Sequence, residues 1–364
     1  MKRKLFYIAD FSLPNMSAYT LHVLKMCDAF SEKKLDVNLL IQFLDKRESL
    51  KKLKKNYILK NSYNIKGFFK RKLKRNIFTN IYFSMKIFLF LKNKNSNSLI
   101  ISRSILPSLL LALMGRKIIL EMHTQNTGIT RLIFVLFRFF KFNNNIIFIL
   151  IHKNLKKILK LEKFKCLILD DCVDIRDFKK KYRTKNSCVY AGSFIDGKGV
   201  DTIINISKKL PKIKFNLYGN INTLKNEKIL SIKKLRNLKL HNFLEYSKIP
   251  EILISNKVLL MPYEKKIGVS IKGLDVSQYI SPLKLFDYLA SGSVIVASKK
   301  KVYAHILKNK MNSFLIDNYD VNTWCKIISK VISNKLDVKR IRKNATMTAR
   351  KYTWLKRADE ILKC

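Results

Sequence analysis

Two lysines stand where a polypeptide would hold an anion. Lys284 falls in the first turn of the helical pattern in "SPLKLFDYLASGSVIVAS" (281–298), and Lys198 closes the loop of "YAGSFIDGKGVD" (190–201) just before another helical run. A cation in a first turn opposes the positive end of the helix dipole, so Lys284 calls for an anion beside it. Helix starts accept phosphates through backbone N–H groups that have no partner within the helix, and a lysine adds a point charge to them. Ser281 is a capping type, and Pro282 suits a first helical position because its missing N–H costs nothing there. The N–H groups of Leu283 and Lys284 would then face the anion. Asp287, one turn further on, could accept hydrogen bonds from vicinal hydroxyls, as the acidic residue of dinucleotide folds does for ribose. In the other loop Gly192 and Ser193 end a strand, where small residues let the backbone approach a ligand closely. The bland alternative is an amphipathic helix whose Lys284 and Asp287 merely face water.

A third group lies far upstream. His123, in "EMHTQ", ends a strand pattern, and its imidazole titrates near neutrality. Glu121 alternates with it on the same strand face and could orient it. His22 and Met26 read as packing residues on an early helix.

The elements that must carry these residues alternate between short β-rich runs and helical patterns, which is the mark of parallel α/β architecture. Strands are expected at 4–10, 36–43, 98–103, 117–123, 146–151, 187–194, 213–220 and 258–263, with helices at 18–33, 199–210 and 249–256 among them. Two consecutive series imply two Rossmann-like domains facing a central cleft, with ligand expected at the carboxyl ends of the strands. The expected bounds are 1–183, 184–349 and a closing helix at 350–364.

The chain has 364 residues and a formal net charge of +49. That excess is compatible with nucleic acid or an anionic membrane surface, and equally with a compositional drift toward Lys, Asn, Ile, Phe and Tyr. Six cysteines without C-x-x-C spacing argue against a zinc site or a disulfide framework and fit a reducing cytoplasm. No uncharged apolar run reaches the roughly 18 residues a spanning helix needs, so a cytoplasmic protein, peripheral at most on the inner face of the membrane, is expected. No helix-turn-helix, zinc or RNP-type signal accompanies the charge, so a specific nucleic-acid partner is not expected. Residues 51–95 hold fourteen lysines and arginines, Arg75 among them, and no acid. Phe68 and Phe69 there would suit an acceptor held at an anionic membrane by dipping into the interface. A plain surface loop is the competing reading.

"YAGSFIDGKGVDTII", "LEYSKIPEILISNKVLLMPYE" and "SPLKLFDYLASGSVIVAS" resemble, in order and spacing, the C-terminal domain of group-1 retaining glycosyltransferases of the GT-B fold, in a subgroup with an SPLK-type donor motif. "NATMTARKYTWLKRADEIL" (344–362) is similar to that family's closing helices, with Tyr352, Thr353, Trp354 and Arg357. "LILDDCVDIRDF" (167–178) and "LPNMSAYTLHVLKMCDAF" (13–30) resemble earlier family passages. The resemblance implies transfer of a sugar from a nucleoside-diphosphate sugar, UDP- or GDP-linked, to a glycan or lipid-linked acceptor hydroxyl with retention, in cell-surface polysaccharide or glycolipid synthesis. On it, Lys198 and Lys284 neutralise the diphosphate, aided by the backbone around Gly192, Ser193, Ser281, Pro282 and Leu283. Asp287 takes the ribose, His123 contacts donor sugar or phosphate, and Asn15 and Ser17 belong to the first loop as acceptor or supporting groups. No metal or other cofactor is implied. The sequence departs from the family at Tyr279 and Ser193, where a glutamate and an arginine are usual. An inactive homologue serving as a partner subunit is therefore the runner-up.

Overall fold

The structure is a computed structural model that describes residues 2–74, 76–94, 97–139, 145–180, 182, 184–271 and 273–364. Arg75 and the expected boundary residue 183 lie outside the described residues. Packing divides the chain into two units, one of Met1–Asp170 with Trp354–Cys364, the other Asp171–Thr353. The sequence had put that change at 183/184.

The first unit runs β1 (Lys4–Leu13), α1 (Ala18–Glu32), β2 (Asp36–Leu44), α2 (Leu50–Tyr57), β3 (Asn64–Gly67), α3 (Ile77–Leu91), β4 (Leu99–Ser102), α4 (Ile105–Leu113), β5 (Ile118–Met122), α5 (Gly128–Phe139), β6 (Ile146–Leu150), α6 (Lys153–Ile158) and β7 (Cys166–Ile168). Its seven strands pair in the order β3-β2-β1-β4-β5-β6-β7, and the pairings are parallel. A parallel sheet is covered on both faces, so its central strands read as continuous apolar runs. β1 obeys this, with Leu5, Phe6, Tyr7, Ile8 and Ala9 all buried.

The second unit runs β8 (Lys185–Ala191), α7 (Val200–Lys209), β9 (Lys214–Tyr218), α8 (Asn226–Lys233), β10 (Leu238–His241), α9 (Ile249–Ile254), β11 (Asn256–Met261), α10 (Leu283–Ser291), β12 (Val294–Ser298), β13 (Phe314–Ile316), α11 (Val321–Ile332) and α12 (Lys339–Ala349). Its strand order is β10-β9-β8-β11-β12-β13, again with parallel pairings. Trp324 and Ile328 of α11 close its core against Phe215, Val258 and Val296. In both units the strand order reverses at the first strand, β1 or β8. Such reversals open a crevice at the carboxyl ends of the strands, where α/β folds bind ligands.

The last helix, α13 (Trp354–Leu362), leaves the second unit and packs on α1 of the first. Lys33 on the α1 side reaches Asp359 at 2.6 Å. The expected return of the C-terminal helix is therefore present.

The basic stretch 51–95 is built structure rather than a plain loop. It contributes most of α2, the edge strand β3 and the whole of α3. Phe69 does not dip outward: it is buried, stacked on Tyr82 at 5.4 Å and edge-on to Phe83 at 6.1 Å. Phe68 is half-buried and meets Phe83 and Phe90. The two rings anchor α3 to the sheet because the neighbouring lysines already occupy the wet side. Among the described residues no helix is long and apolar enough to cross a membrane.

Candidate active site

In the second unit the reversal of strand order falls between β8 and β11, and the two lysines come together there. β8 ends at Ala191, and the loop 192–199 leads into α7, whose N-cap Gly199 sits at φ +81 with no side-chain cap. A Cβ at Gly199 would lie 1.8 Å from the Pro262 carbonyl, so only glycine lets this loop lie against the end of β11. α10 is held over the same crevice by Tyr288. Its hydroxyl accepts the Ala191 N–H at 3.0 Å and donates to the Leu260 carbonyl at 3.3 Å, tying the helix to the ends of both strands.

Lys284 then points back across β8. Its Nζ stands 3.7 Å over the Tyr190 ring and 5.6 Å from the Tyr263 ring centroid. Lys198 Nζ lies 4.9 Å over that same Tyr263 ring. The ring faces stabilise both cations, and the Tyr190 hydroxyl is held by donating to the Ser193 carbonyl at 2.6 Å. Gly192, at φ +153, makes room: a Cβ there would fall 2.2 Å from Lys284 Nζ. The Lys284 stem is partly exposed, but Nζ has no accessible surface and no hydrogen-bond partner among the described residues. Burial pushes its ammonium well below the usual lysine range, and the Lys198 charge adds to that. Lys198 is buried, and burial lowers it to about 8. Two desolvated cations over one ring, one with no hydrogen-bond partner among the described residues, describe a site for an anion.

The other predicted donor residues resolve differently. α10 begins at Leu283 with Pro282 as its N-cap, and no side chain caps it. Ser281 is not the cap, because its Oγ accepts the Asp171 N–H at 2.9 Å and pins the start of the unit instead. Leu283 and Lys284 do occupy the first turn, where N–H groups lack intrahelical acceptors. Asp287 is buried one turn on, its Oδ1 accepting from the Tyr246 hydroxyl at 2.9 Å. Tyr279 is 1% exposed and packs in the core.

The first unit gathers a second group. Glu121 is buried in β5, and His123 follows the strand with Nε2 2.7 Å from Glu121 Oε1. His22 on α1 brings its Nε2 to 2.8 Å of the same oxygen. Arg357 on α13 donates through Nη2 to it at 2.5 Å. Tyr7 of β1 donates to Oε2 at 2.9 Å. Arg357 Nη1 also donates to the carbonyls of Leu169 and Asp170, at 2.6 Å each. Burial alone would raise the Glu121 carboxyl, yet His22, Arg357 and the bond from His123 hold it well below the usual carboxylate range. Sequence reasoning paired Glu121 with His123 but missed Tyr7, His22 and Arg357 as its partners. The three ligand-type atoms of His22, Glu121 and His123 lie within 4.8 Å of one another. The oxygen both imidazoles share also accepts from the Arg357 guanidinium. Asn15 and Ser17 serve the scaffold: Ser17 caps α1 through the Thr20 N–H at 3.2 Å, and Asn15 Oδ1 accepts the Ser17 N–H at 3.0 Å. They set the start of the helix that carries His22.

Two parallel sheets, each reversing at its first strand, with the last helix returned to the first unit, make this a GT-B architecture. Solved structures agree along the whole chain. A glycosyltransferase from Rickettsia africae covers 100% of this chain and 98% of its own at TM-score 0.73 and 12% identity. Alr3699/HepE from Anabaena, in complex with UDP and glucose, covers 100% and 99% at 0.69 and 12%. Sucrose-phosphate synthase from Thermosynechococcus elongatus covers 100% and 98% at 0.72 and 12%. At that identity they speak for the fold alone. No curated protein matches the sequence. Residues 173–348, a stretch that includes Lys198 and Lys284, match the family model "Glycosyl transferases group 1".

Proposed function

We propose that this protein transfers a sugar from a nucleoside-diphosphate sugar to an acceptor hydroxyl, with retention at the anomeric carbon, in the building of a cell-surface polysaccharide or glycolipid. One observation carries the reading: the Lys198 and Lys284 ammonium groups meet over the Tyr263 ring, and Lys284 Nζ is buried with no hydrogen-bond partner among the described residues. In the transfer the bond from the anomeric carbon to the diphosphate oxygen breaks, a bond to the acceptor oxygen forms, and the acceptor hydroxyl passes its proton to the departing diphosphate. Negative charge accumulates on the departing diphosphate. Fixed cations that stabilise it more in the transition state than in the ground state accelerate the step. The first-turn amides of α10 and the backbone at Gly192 and Ser193 would add hydrogen bonds. Asp287, steadied by Tyr246, would accept from the ribose hydroxyls. His123, oriented by Glu121, is the proposed imidazole of the reaction, and no metal or other cofactor is assigned.

Calorimetric titration with UDP and GDP tests the reading. At least one should bind, and Lys284→Ala should weaken it by roughly tenfold to a hundredfold, the worth of a charge-assisted hydrogen bond. Unchanged affinity in that variant would sink the assignment. The runner-up, an inactive partner subunit, draws on Tyr279, which packs in the core where the family pattern has a carboxylate. It predicts nucleotide binding with no turnover of any UDP- or GDP-sugar, whereas the leading reading predicts turnover that His123→Ala lowers while leaving nucleotide affinity in place.

A further inference from the structure

α3 has two apolar faces, and among the described residues only one is packed against its own unit. Phe83, Ser84, Ile87 and Leu91 are buried against its own unit. On another side Phe78 (78% exposed), Ile81 (44%), Tyr82 (47%), Met85 (55%) and Leu89 (54%) recur at steps of three and four residues, which places them along one stripe of the helix. Scattered exposed hydrophobes are ordinary, but a contiguous stripe of large ones marks an interaction surface.

The charges around the stripe narrow its occupant. Lys70, Arg71, Lys72 and Lys74 are exposed in the segment that leads into α3, and Lys92 and Lys94 are exposed where it ends. Lys86 lies on the helix itself, its Nζ 5.3 Å over the Tyr82 ring. Residues 51–95 contain no Asp or Glu. A second copy of the chain would bring an equally cationic face, in a protein of net charge +49, and like charges oppose that approach. Nucleic acid would satisfy the lysines but leave Ile81, Met85 and Leu89 in water.

We infer that α3 and the basic segment before it form a docking surface for an anionic lipid bilayer, with the helix lying in the interface. Aliphatic and aromatic side chains on one face, ringed by lysines that reach the headgroups, have the composition of interfacial helices. At 15 residues α3 lies on a bilayer and does not span it. The inference is independent of the donor reading, which nucleotide titration without lipid tests separately.

The test is co-sedimentation of the full chain with phosphatidylglycerol-containing vesicles and with pure phosphatidylcholine vesicles, at low and high salt. Binding should require the anionic lipid, and a fraction should survive high salt because apolar insertion is not screened. Ile81→Ser/Met85→Ser/Leu89→Ser should bind at low salt but lose the salt-resistant fraction. Its melting curve should match the parent, since all three side chains are exposed. Lys70→Gln/Arg71→Gln/Lys72→Gln should weaken binding about tenfold or more, at roughly the strength of a few basic residues at a charged membrane. Lys339→Gln/Arg340→Gln/Lys343→Gln, on exposed sites of α12, removes equal charge elsewhere and should change binding far less. Both native tryptophans, Trp324 and Trp354, are buried, so Met85→Trp reports insertion by a blue shift on anionic vesicles. The inference is overturned if the serine variant keeps its salt-resistant binding or if the Met85→Trp emission stays unmoved. It is also overturned if a DNA oligonucleotide shifts that emission and vesicles do not, or if the serine variant abolishes self-association and leaves vesicle binding unchanged.

Discussion

Arg357 donates to the Glu121 carboxylate across 236 residues of sequence, at 2.5 Å and with both side chains almost wholly buried. The last helix is therefore tied to the first sheet by a charge pair, and the same oxygen steadies His22 and His123.

Breaking that pair from one side should be severe. Arg357→Met removes the guanidinium from a buried carboxylate, a change worth about 3–5 kcal/mol, and should lower the melting temperature clearly. Glu121→Gln/Arg357→Met should cost less than the two single changes summed. Additive losses in chemical denaturation would show the pair is not coupled.

The network also sets an acid limit. Glu121 is held below the ordinary carboxylate range in the folded chain, so its contribution is present above the unfolded value and disappears as pH falls through the depressed folded one. Wild type should lose stability in that acidic window more steeply than Glu121→Gln. Parallel melting curves against pH would refute this.

Lys284 makes the opposite prediction for stability and binding. A buried ammonium with no hydrogen-bond partner among the described residues costs the empty fold about 1–3 kcal/mol, so Lys284→Met should raise the melting temperature while weakening UDP or GDP. A variant that is both less stable and unchanged in affinity would place the lysine outside the anion site.

Gly192→Ala probes the same site without removing charge. The new methyl would lie 2.2 Å from Lys284 Nζ at a residue of φ +153, displacing the ammonium and straining the backbone by about 1–3 kcal/mol. Nucleotide affinity should fall by roughly tenfold or more. An alanine variant that binds as well as the parent would show that Lys284 can move without consequence.

The pH dependence of binding follows from Lys198. Its folded value of about 8 lies below the ordinary lysine range, so the empty site is partly neutral near pH 8 and a bound anion recharges it. Nucleotide affinity should decline as pH rises through that value, and binding should take up protons. Calorimetry in buffers of different ionisation enthalpy checks the uptake. For the empty protein the sign reverses: the unfolded lysine holds its proton to higher pH, so stability rises between about 8 and the unfolded value.

Much of this was legible along the chain. The alternation of β-rich and helical runs marked both parallel sheets, because buried parallel strands are apolar throughout. Lys198 and Lys284 stood out because each sits at a helix start, a local feature. Glu121 and His123 were paired by strand alternation alone. Short edge strands such as β3, β7, β10 and β13 were not marked, since three or four residues carry too little periodicity. Ser281 reads as a cap in the sequence because capping residues look alike until the backbone shows which one precedes the first helical turn. Phe68 and Phe69 read as outward-facing because an aromatic in a basic stretch does not say which way it faces. Folding alone settled that Arg357 meets Glu121, that Tyr263 lies under both lysines, and that the outward stripe of α3 is Phe78 to Leu89. Local periodicity writes the elements into the sequence, while the partner of a buried charge is chosen by contacts between distant segments, which no local pattern records.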